Sequence, residues 1–218
     1  MHHQASDTQM SYDRVAAEYV ARIADELEHK PLDRHLLSWF AERVHGLGPV
    51  CDVGCGPGHV AHYLHQRGAA VYGLDLSSEM IVHARQRYPE IAFTQGDMRA
   101  LDVADATFGG IVAFYSLIHI PRDQVVAALR EFRRVLQPGG ALLAAFHIGH
   151  EMLHLDTMWD QPVALDVVFF QPDEMAACLT SAGFEIEAAI DRAPYVGMEY
   201  PTRQAYICAG KPAEPRVE

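Results

Sequence analysis

Positive charge is scarce in this chain. Its 17 Lys and Arg stand against 29 Asp and Glu, a formal net charge of −12 over 218 residues. Nucleic acid and anionic membrane both demand a basic surface, so neither is the expected main partner. Small substrates that are neutral or cationic fit better. Cysteine is equally sparing: Cys51, Cys55, Cys178 and Cys208 form no C-x-x-C pair. Buried, reduced thiols in a cytoplasmic protein are the expectation. No run is long and apolar enough to span a bilayer, and the first residues lack the basic-then-apolar layout of a signal peptide. Repeats and long linkers are absent. The polar ends, Met1 to Met10 and Lys211 to Glu218, are expected to fray.

What is present is a chain that is 50% apolar and long enough for one α/β domain with a buried core. Its most informative stretch is Val50-Cys51-Asp52-Val53-Gly54-Cys55-Gly56-Pro57-Gly58. It reads as a buried strand entering a glycine turn and then a helix. Glycines at alternate positions let backbone approach a ligand where any Cβ would clash. The helix starting near His59 turns its free N–H groups toward that ligand. Asp75 ends the next apolar strand, where a carboxylate can accept both hydroxyls of a ribose. Dinucleotide folds use G-x-G-x-x-G with a pyrophosphate at the helix N-terminus. Here the spacing is G-x-G-x-G and the strand carries its own acid, Asp52. That acid would repel a pyrophosphate and suits a cationic amino group.

The pattern D-V-G-C-G-P-G-H resembles the first motif of class I S-adenosylmethionine-dependent methyltransferases. Gly73-Leu74-Asp75-Leu76-Ser77 resembles that family's ribose-binding acid motif, and Gly96-Asp97-Met98 its adenine-contacting motif. Val135-Leu136-Gln137-Pro138-Gly139-Gly140 resembles the turn before its fifth strand. The four stand in family order and at family spacing. The resemblance implies methyl transfer from S-adenosylmethionine to an O, N or C nucleophile of a small molecule, releasing S-adenosylhomocysteine. It also implies a Rossmann-like seven-stranded sheet of order 3-2-1-4-5-7-6 with strand 7 antiparallel. Two rival readings are a non-catalytic protein that binds the cofactor and an NAD-dependent reductase. A third is a metal-dependent hydrolase built on residues 147–156.

Periodicity agrees with such a fold. Apolar residues at helical spacing (Ala16, Tyr19, Val20, Ile23, Leu27, then Leu36, Leu37, Phe40, Val44) predict two N-terminal helices. Strands are predicted near 50–55, 70–75, 91–95, 109–115, 141–147, 184–191 and 203–210. Helices are predicted near 58–67, 78–87, 122–136 and 172–182. Alternation of this kind means a mostly parallel sheet covered on both faces. The chain divides into a helical cover (1–48), a cofactor core (49–147) and an acceptor-side segment with the last strands (148–218). It is expected to act as a monomer or homodimer.

Ligands in such sheets sit beyond the carboxyl ends of the strands where strand order reverses. Gly54, Gly56 and Gly58 would give close approach, and Asp52 would meet the methionine amino group or brace the loop. Asp75 and Leu76 would flank the ribose, Met80 and Met98 would wall the adenine, and Gly96 and Asp97 would lie at its edge. Phe114 and Tyr115 would flank the methionine part. Tyr12 and Tyr19, in a Y-D-x-x-A-x-x-Y pattern, would close over it. Similar enzymes that methylate nucleobase amines often carry an N-P-P-Y-like turn after strand 4; Phe114-Tyr115-Ser116-Leu117 stands there instead and, with the acidic charge, disfavours a nucleic-acid acceptor. His119, His147 and Tyr115 are the catalytic candidates, His119 and His147 as general bases. His150-Glu151-Met152-Leu153-His154 matches H-E-x-x-H, which on a helix would hold zinc. The preferred reading makes 148–170 a loop whose Met152, Leu155, Met158, Trp159 and Phe169 wall an apolar pocket, with no metal bound. Tyr195 and Glu199 could line the same pocket.

Overall fold

The computed structural model describes residues 2–213, with side chains from Ala5 onward. The chain opens with α1 (His2–Ile23), a short 3-10 turn (Glu26–His29) and α2 (Pro31–Arg43). Then follow β1 (Val50–Val53), α3 (His59–His65), β2 (Val71–Asp75), α4 (Ser78–Arg87), β3 (Ala92–Gln95) and β4 (Phe108–Phe114). Next come α5 (Arg122–Val135), β5 (Leu136–His147), β6 (Met152–Met158) and β7 (Gln161–Val168). The remainder is α6 (Pro172–Ser181), β8 (Glu185–Arg192) and β9 (Gln204–Gly210).

Among the described residues the main sheet has 7 strands in the order β3-β2-β1-β4-β5-β9-β8. β9 runs antiparallel to β5 and β8, and the other pairings are parallel. With β8 and β9 as sixth and seventh strands, this is the expected order. Every residue of β1 is buried, as a central parallel strand covered on both faces requires. α5 buries Val125, Ala128, Leu129, Phe132 and Val135 at spacings of three and four, one stripe facing the sheet. α6 is opened by Pro172 and a capping box between Gln171 and Glu174, and Gly183 follows its end at a positive φ of 90°.

Two expectations need correction. Residues 2–10 are helical, because α1 has a partner: Ala164 in β7 donates its N–H to Ser11 Oγ at 2.9 Å, and Arg14 reaches the Pro162 carbonyl at 2.6 Å. Lys211 likewise does not fray, since its ammonium donates to the carbonyls of Arg133 (2.9 Å) and Leu136 (2.6 Å). Met1 and residues 214–218 lie outside the described residues.

The second correction is that 148–170 is a β-hairpin, β6–β7, forming a separate two-stranded sheet. Its turn places Trp159 and Asp160 at φ of 49° and 61°, the left-handed region that a two-residue hairpin turn demands. The hairpin buries Val163 and Leu165 against Val15 of α1. His154 is therefore on a strand. His150 lies in the bend before β6, so the two histidines do not share a helix face. The helical premise of a zinc site fails, and His154 pairs with Asp166 instead (2.7 Å).

Candidate active site

The glycine loop leaves β1 at the point where strand order reverses, and two adjoining cavities open there. The first spans about 810 Å³, including its open mouth, between α1, the glycine loop and the ends of β2 and β4. Gly54 and Gly56 form its floor, and Asp75 and Leu76 one side. Met80, Gly96, Asp97 and Met98 line its far end. Gly54 sits at φ 70°, and a Cβ on it would collide with Ser116. Gly58 lines neither cavity. It is left-handed at the start of α3, and its missing Cβ makes room for the Phe93 ring, 2.7 Å from where that atom would be. Packing, not ligand approach, explains that glycine.

Asp75 is fixed by two backbone donors, Gly56 N–H to Oδ2 and Ser77 N–H to Oδ1, both at 2.8 Å. Burial raises its pKa to about 6 against the pull of those donors. Asp52 is 1% exposed, and its Oδ2 has no hydrogen-bond partner. Burial raises its pKa to about 7, with nearby His59 opposing. A buried carboxylate oxygen without a partner, on a wall of the second cavity, is a seat for a cation. Asp97 is held by Arg99 at 2.6 Å, so its carboxylate edge is shared with a guanidinium.

Tyr12 and Tyr19 stand between the two cavities and line both. The Tyr12 hydroxyl lies 2.7 Å from His119 Nε2, and His119 Nδ1 lies 3.0 Å from the Asp166 carbonyl. A carbonyl only accepts, so Nδ1 carries the proton and Nε2 accepts from Tyr12. Burial lowers the His119 pKa, which keeps this neutral tautomer. Both ring nitrogens are engaged, and His119 ties α1 to the hairpin.

The second cavity is larger, about 2500 Å³ including its open mouth. The hairpin supplies Leu153, Leu155, Met158, Trp159, Val167 and Phe169 as one wall. Met152 is 61% exposed and turns away from it. His147 ends β5 on this wall; burial, with Lys30 nearby, lowers its pKa to about 4. Its Nδ1 meets Thr202 Oγ1 at 2.9 Å. Glu199 lines the cavity. Tyr195 does not: its hydroxyl accepts from the Leu32 N–H at 3.2 Å and its ring lies under Arg192.

Tyr115 lines both cavities with its ring, at φ 52°. Its hydroxyl meets Tyr206 at 3.1 Å. Tyr206 in turn donates to Asp33 Oδ1 at 2.8 Å, so the Tyr115 hydroxyl donates to Tyr206. A proton committed inward in this way is not offered to the cavity. Beyond lies a buried ionic cluster. Arg192 grips Glu199 through two bonds (2.6 and 2.7 Å) and reaches Asp33 at 3.2 Å. Lys30 bridges Glu26 (2.7 Å) and Glu199 (3.2 Å). Glu26 stays ionised, near pKa 2, because His59 and Lys30 outweigh its burial.

Residues 50–140, from β1 to the turn inside β5, match a family model described as methyltransferase domain. That stretch is similar to the core of class I S-adenosylmethionine-dependent methyltransferases. A malonyl-acyl-carrier-protein O-methyltransferase of Pectobacterium atrosepticum is 32% identical over 112 residues, which is 51% of this chain and 44% of that protein. The chain thus aligns with less than half the length of that curated relative. Its fold matches that of the 4+2 cyclase SpnF with a TM-score of 0.71 at 20% identity, covering 96% of this chain and 97% of that one. The glycopeptide N-methyltransferase MtfA, in complex with S-adenosyl-L-methionine, matches with a TM-score of 0.64 at 19% identity, covering 82% and 94%.

Sequence reasoning missed several residues of the candidate site. Ser116 lines the first cavity with a buried hydroxyl that has no partner. The Gly54–Ser116 contact joins two strand ends and has no local signal. Lys30, Glu26 and Gln204 line the second cavity from distant parts of the chain. Asp13 of α1 accepts from Ser77 Oγ (2.6 Å) and the Glu79 N–H (3.1 Å), pinning the cover to the start of α4. Asp13 belongs to the Y-D-x-x-A-x-x-Y pattern, where only the tyrosines were singled out.

Proposed function

We propose that this chain transfers a methyl group from S-adenosylmethionine to an O, N or C nucleophile of a small molecule. The observation that carries the reading is the joining of Asp75 to Gly56 on one cavity, which sets a ribose acceptor against a glycine floor. The residues fit the cofactor. Asp75 would accept the ribose hydroxyls, and Met80, Met98 and Leu76 would wall the adenine, with Asp97 at its edge. The unpartnered Asp52 Oδ2 would receive the methionine ammonium. Tyr12 and Tyr19 would close the cover. When bound, the sulfonium supplies an electrophilic methyl and its own leaving group. The chain's residues then have to align and dehydrate the acceptor, which in well-oriented models is worth about 7–11 kcal/mol. His147, neutral and facing the second cavity, is the base we assign where a proton must leave. We assign His119 to holding the cover and Tyr115 to the wall.

In this reading residues 1–48 cover the site, 49–147 hold the cofactor and 148–218 shape the acceptor side, in one domain of a monomer or homodimer. The unpaired cysteines Cys51, Cys55, Cys178 and Cys208 favour a reducing, cytoplasmic setting. No described helix is long and apolar enough to cross a membrane. Titration calorimetry is the test. S-adenosylhomocysteine is expected to bind in the micromolar range and NADH not at all. Asp75→Ala is expected to cost about 1–3 kcal/mol of that binding. Tight NADH binding would sink the proposal.

A further inference from the structure

The second cavity holds polar groups that cofactor binding does not use. Gln204 is 1% exposed, and its Nε2 donates to the Thr202 carbonyl at 3.1 Å while its Oε1 has no partner. A buried amide oxygen without a donor carries an uncompensated desolvation cost, so a ligand that supplies the donor is favoured. Gln204 opposes His147 directly in the β5–β9 ladder. Opposed residues of an antiparallel pair project from the same face with Cβ atoms about 5 Å apart. The free oxygen and the neutral imidazole therefore stand side by side on the cavity wall.

The surroundings are flat and apolar. The His147 ring centroid lies 5.2 Å from that of Tyr115, 5.5 Å from Phe169 and 6.0 Å from Tyr200. Faces and edges at such spacing favour a planar guest.

Charge is also decided. The Lys and Arg residues lining this cavity are Lys30 and Arg22. Lys30 is bridged by Glu26 and Glu199, and Arg22 pairs with Glu18 at 2.6 Å while lying over Trp159. Among the described lining residues no Lys or Arg is left to meet an anionic acceptor. The side chains of Glu26, Asp52 and Glu199 add carboxyl groups to the same wall.

We propose that the acceptor is a neutral, planar molecule whose hydroxyl or amine donates to Gln204 Oε1 beside His147, and that carboxylate acceptors are excluded. This rests on the methyltransferase reading and narrows it. It also sets the chain apart from its malonyl-carrier relative, whose name implies a carboxylate substrate.

The test measures binding of three matched probes to protein saturated with S-adenosylhomocysteine: 2-naphthol, 2-methoxynaphthalene and 2-naphthoate. 2-Naphthol is expected to bind about tenfold or more tightly than either of the others, the worth of one donor placed on a buried acceptor. Gln204→Leu is expected to bring 2-naphthol level with 2-methoxynaphthalene and to leave S-adenosylhomocysteine affinity in place. Equal or tighter binding of 2-naphthoate or 2-methoxynaphthalene, or no binding of 2-naphthol, overturns the proposal. The wild-type comparison decides even if Gln204→Leu does not fold. Failure of S-adenosylhomocysteine itself to bind strikes the cofactor reading instead.

Discussion

Asp52 is where burial and function oppose each other. Its pKa rises from 3.8 to about 7 in the folded chain, chiefly through burial. A carboxyl raised on folding stabilises the native state below its unfolded pKa, and that gain is gone once pH passes the folded value. Stability from this group is therefore present below about pH 4 and lost by about pH 7. A cation placed against Oδ2 reverses the preference and draws the pKa down. Two results are expected. Thermal melts of the cofactor-free protein fall more steeply from acid to neutral pH in the wild type than in Asp52→Asn. S-adenosylmethionine affinity rises by about tenfold between roughly pH 6 and 8 in the wild type, and Asp52→Asn flattens that rise. Asp75 titrates near 6 as well, so the comparison with Asp52→Asn is what isolates Asp52. Equal pH slopes in both proteins would remove Asp52 from the cation's seat.

At the level of elements, α1 and the β6–β7 hairpin act as one cover held by His119. Tyr12 donates to one ring nitrogen and the Asp166 carbonyl accepts from the other. Tyr12→Phe leaves a buried imidazole nitrogen without its donor, a cost of about 1–3 kcal/mol. Release of S-adenosylhomocysteine, followed by stopped-flow displacement, should accelerate by about tenfold or more. Unchanged release would mean that the cover opens elsewhere. These elements also mark what the sequence makes legible. The glycine loop, Asp75 and α5 are encoded locally, by glycine spacing and by a 3.6-residue stripe, and each formed where its pattern placed it. The hairpin was not legible. Leu153 and Leu155, then Val163, Leu165 and Val167, do alternate, but the turn is Trp-Asp instead of Asn-Gly, and the apolar face is satisfied by Val15, far away in sequence. The same holds for the helical start of the chain. His2 to Met10 reads as a polar tail until β7 is known to lie beside it.

Across the whole molecule, one ionic cluster fastens α2 to the end of β8 and the loop that follows it. Arg192, at the end of β8, binds Asp33 of α2 and Glu199 of the following loop, with side-chain exposures of 10%, 1% and 4%. Removing the guanidinium leaves Asp33 with only Tyr206 and Glu199 with Lys30 and the Tyr195 N–H, a loss of charge-assisted bonds that costs about 1–3 kcal/mol. Arg192→Met should lower the melting temperature by several degrees and loosen the acceptor side, since Glu199 also holds Lys30. A melt within about one degree of wild type would show the cluster to be energetically idle. None of this was legible either. The partners Asp33 and Arg192 are 159 residues apart, and a charged residue in a helix reads as a solvated face until the sheet order brings β9 alongside β5.

The left-handed turn at the hairpin tip has an optical consequence. The chain holds 2 tryptophans. Trp39 lies on α2 at 38% exposure, whereas the turn hangs Trp159 over the site, with its ring 5.9 Å from Tyr19 and 5.3 Å from the Arg22 guanidinium. With Trp39 replaced by Phe, this chain would keep a single tryptophan, excitable apart from its tyrosines, at the seam between cover and cavity. Its emission would follow the opening and closing of the cover in real time, with no label attached.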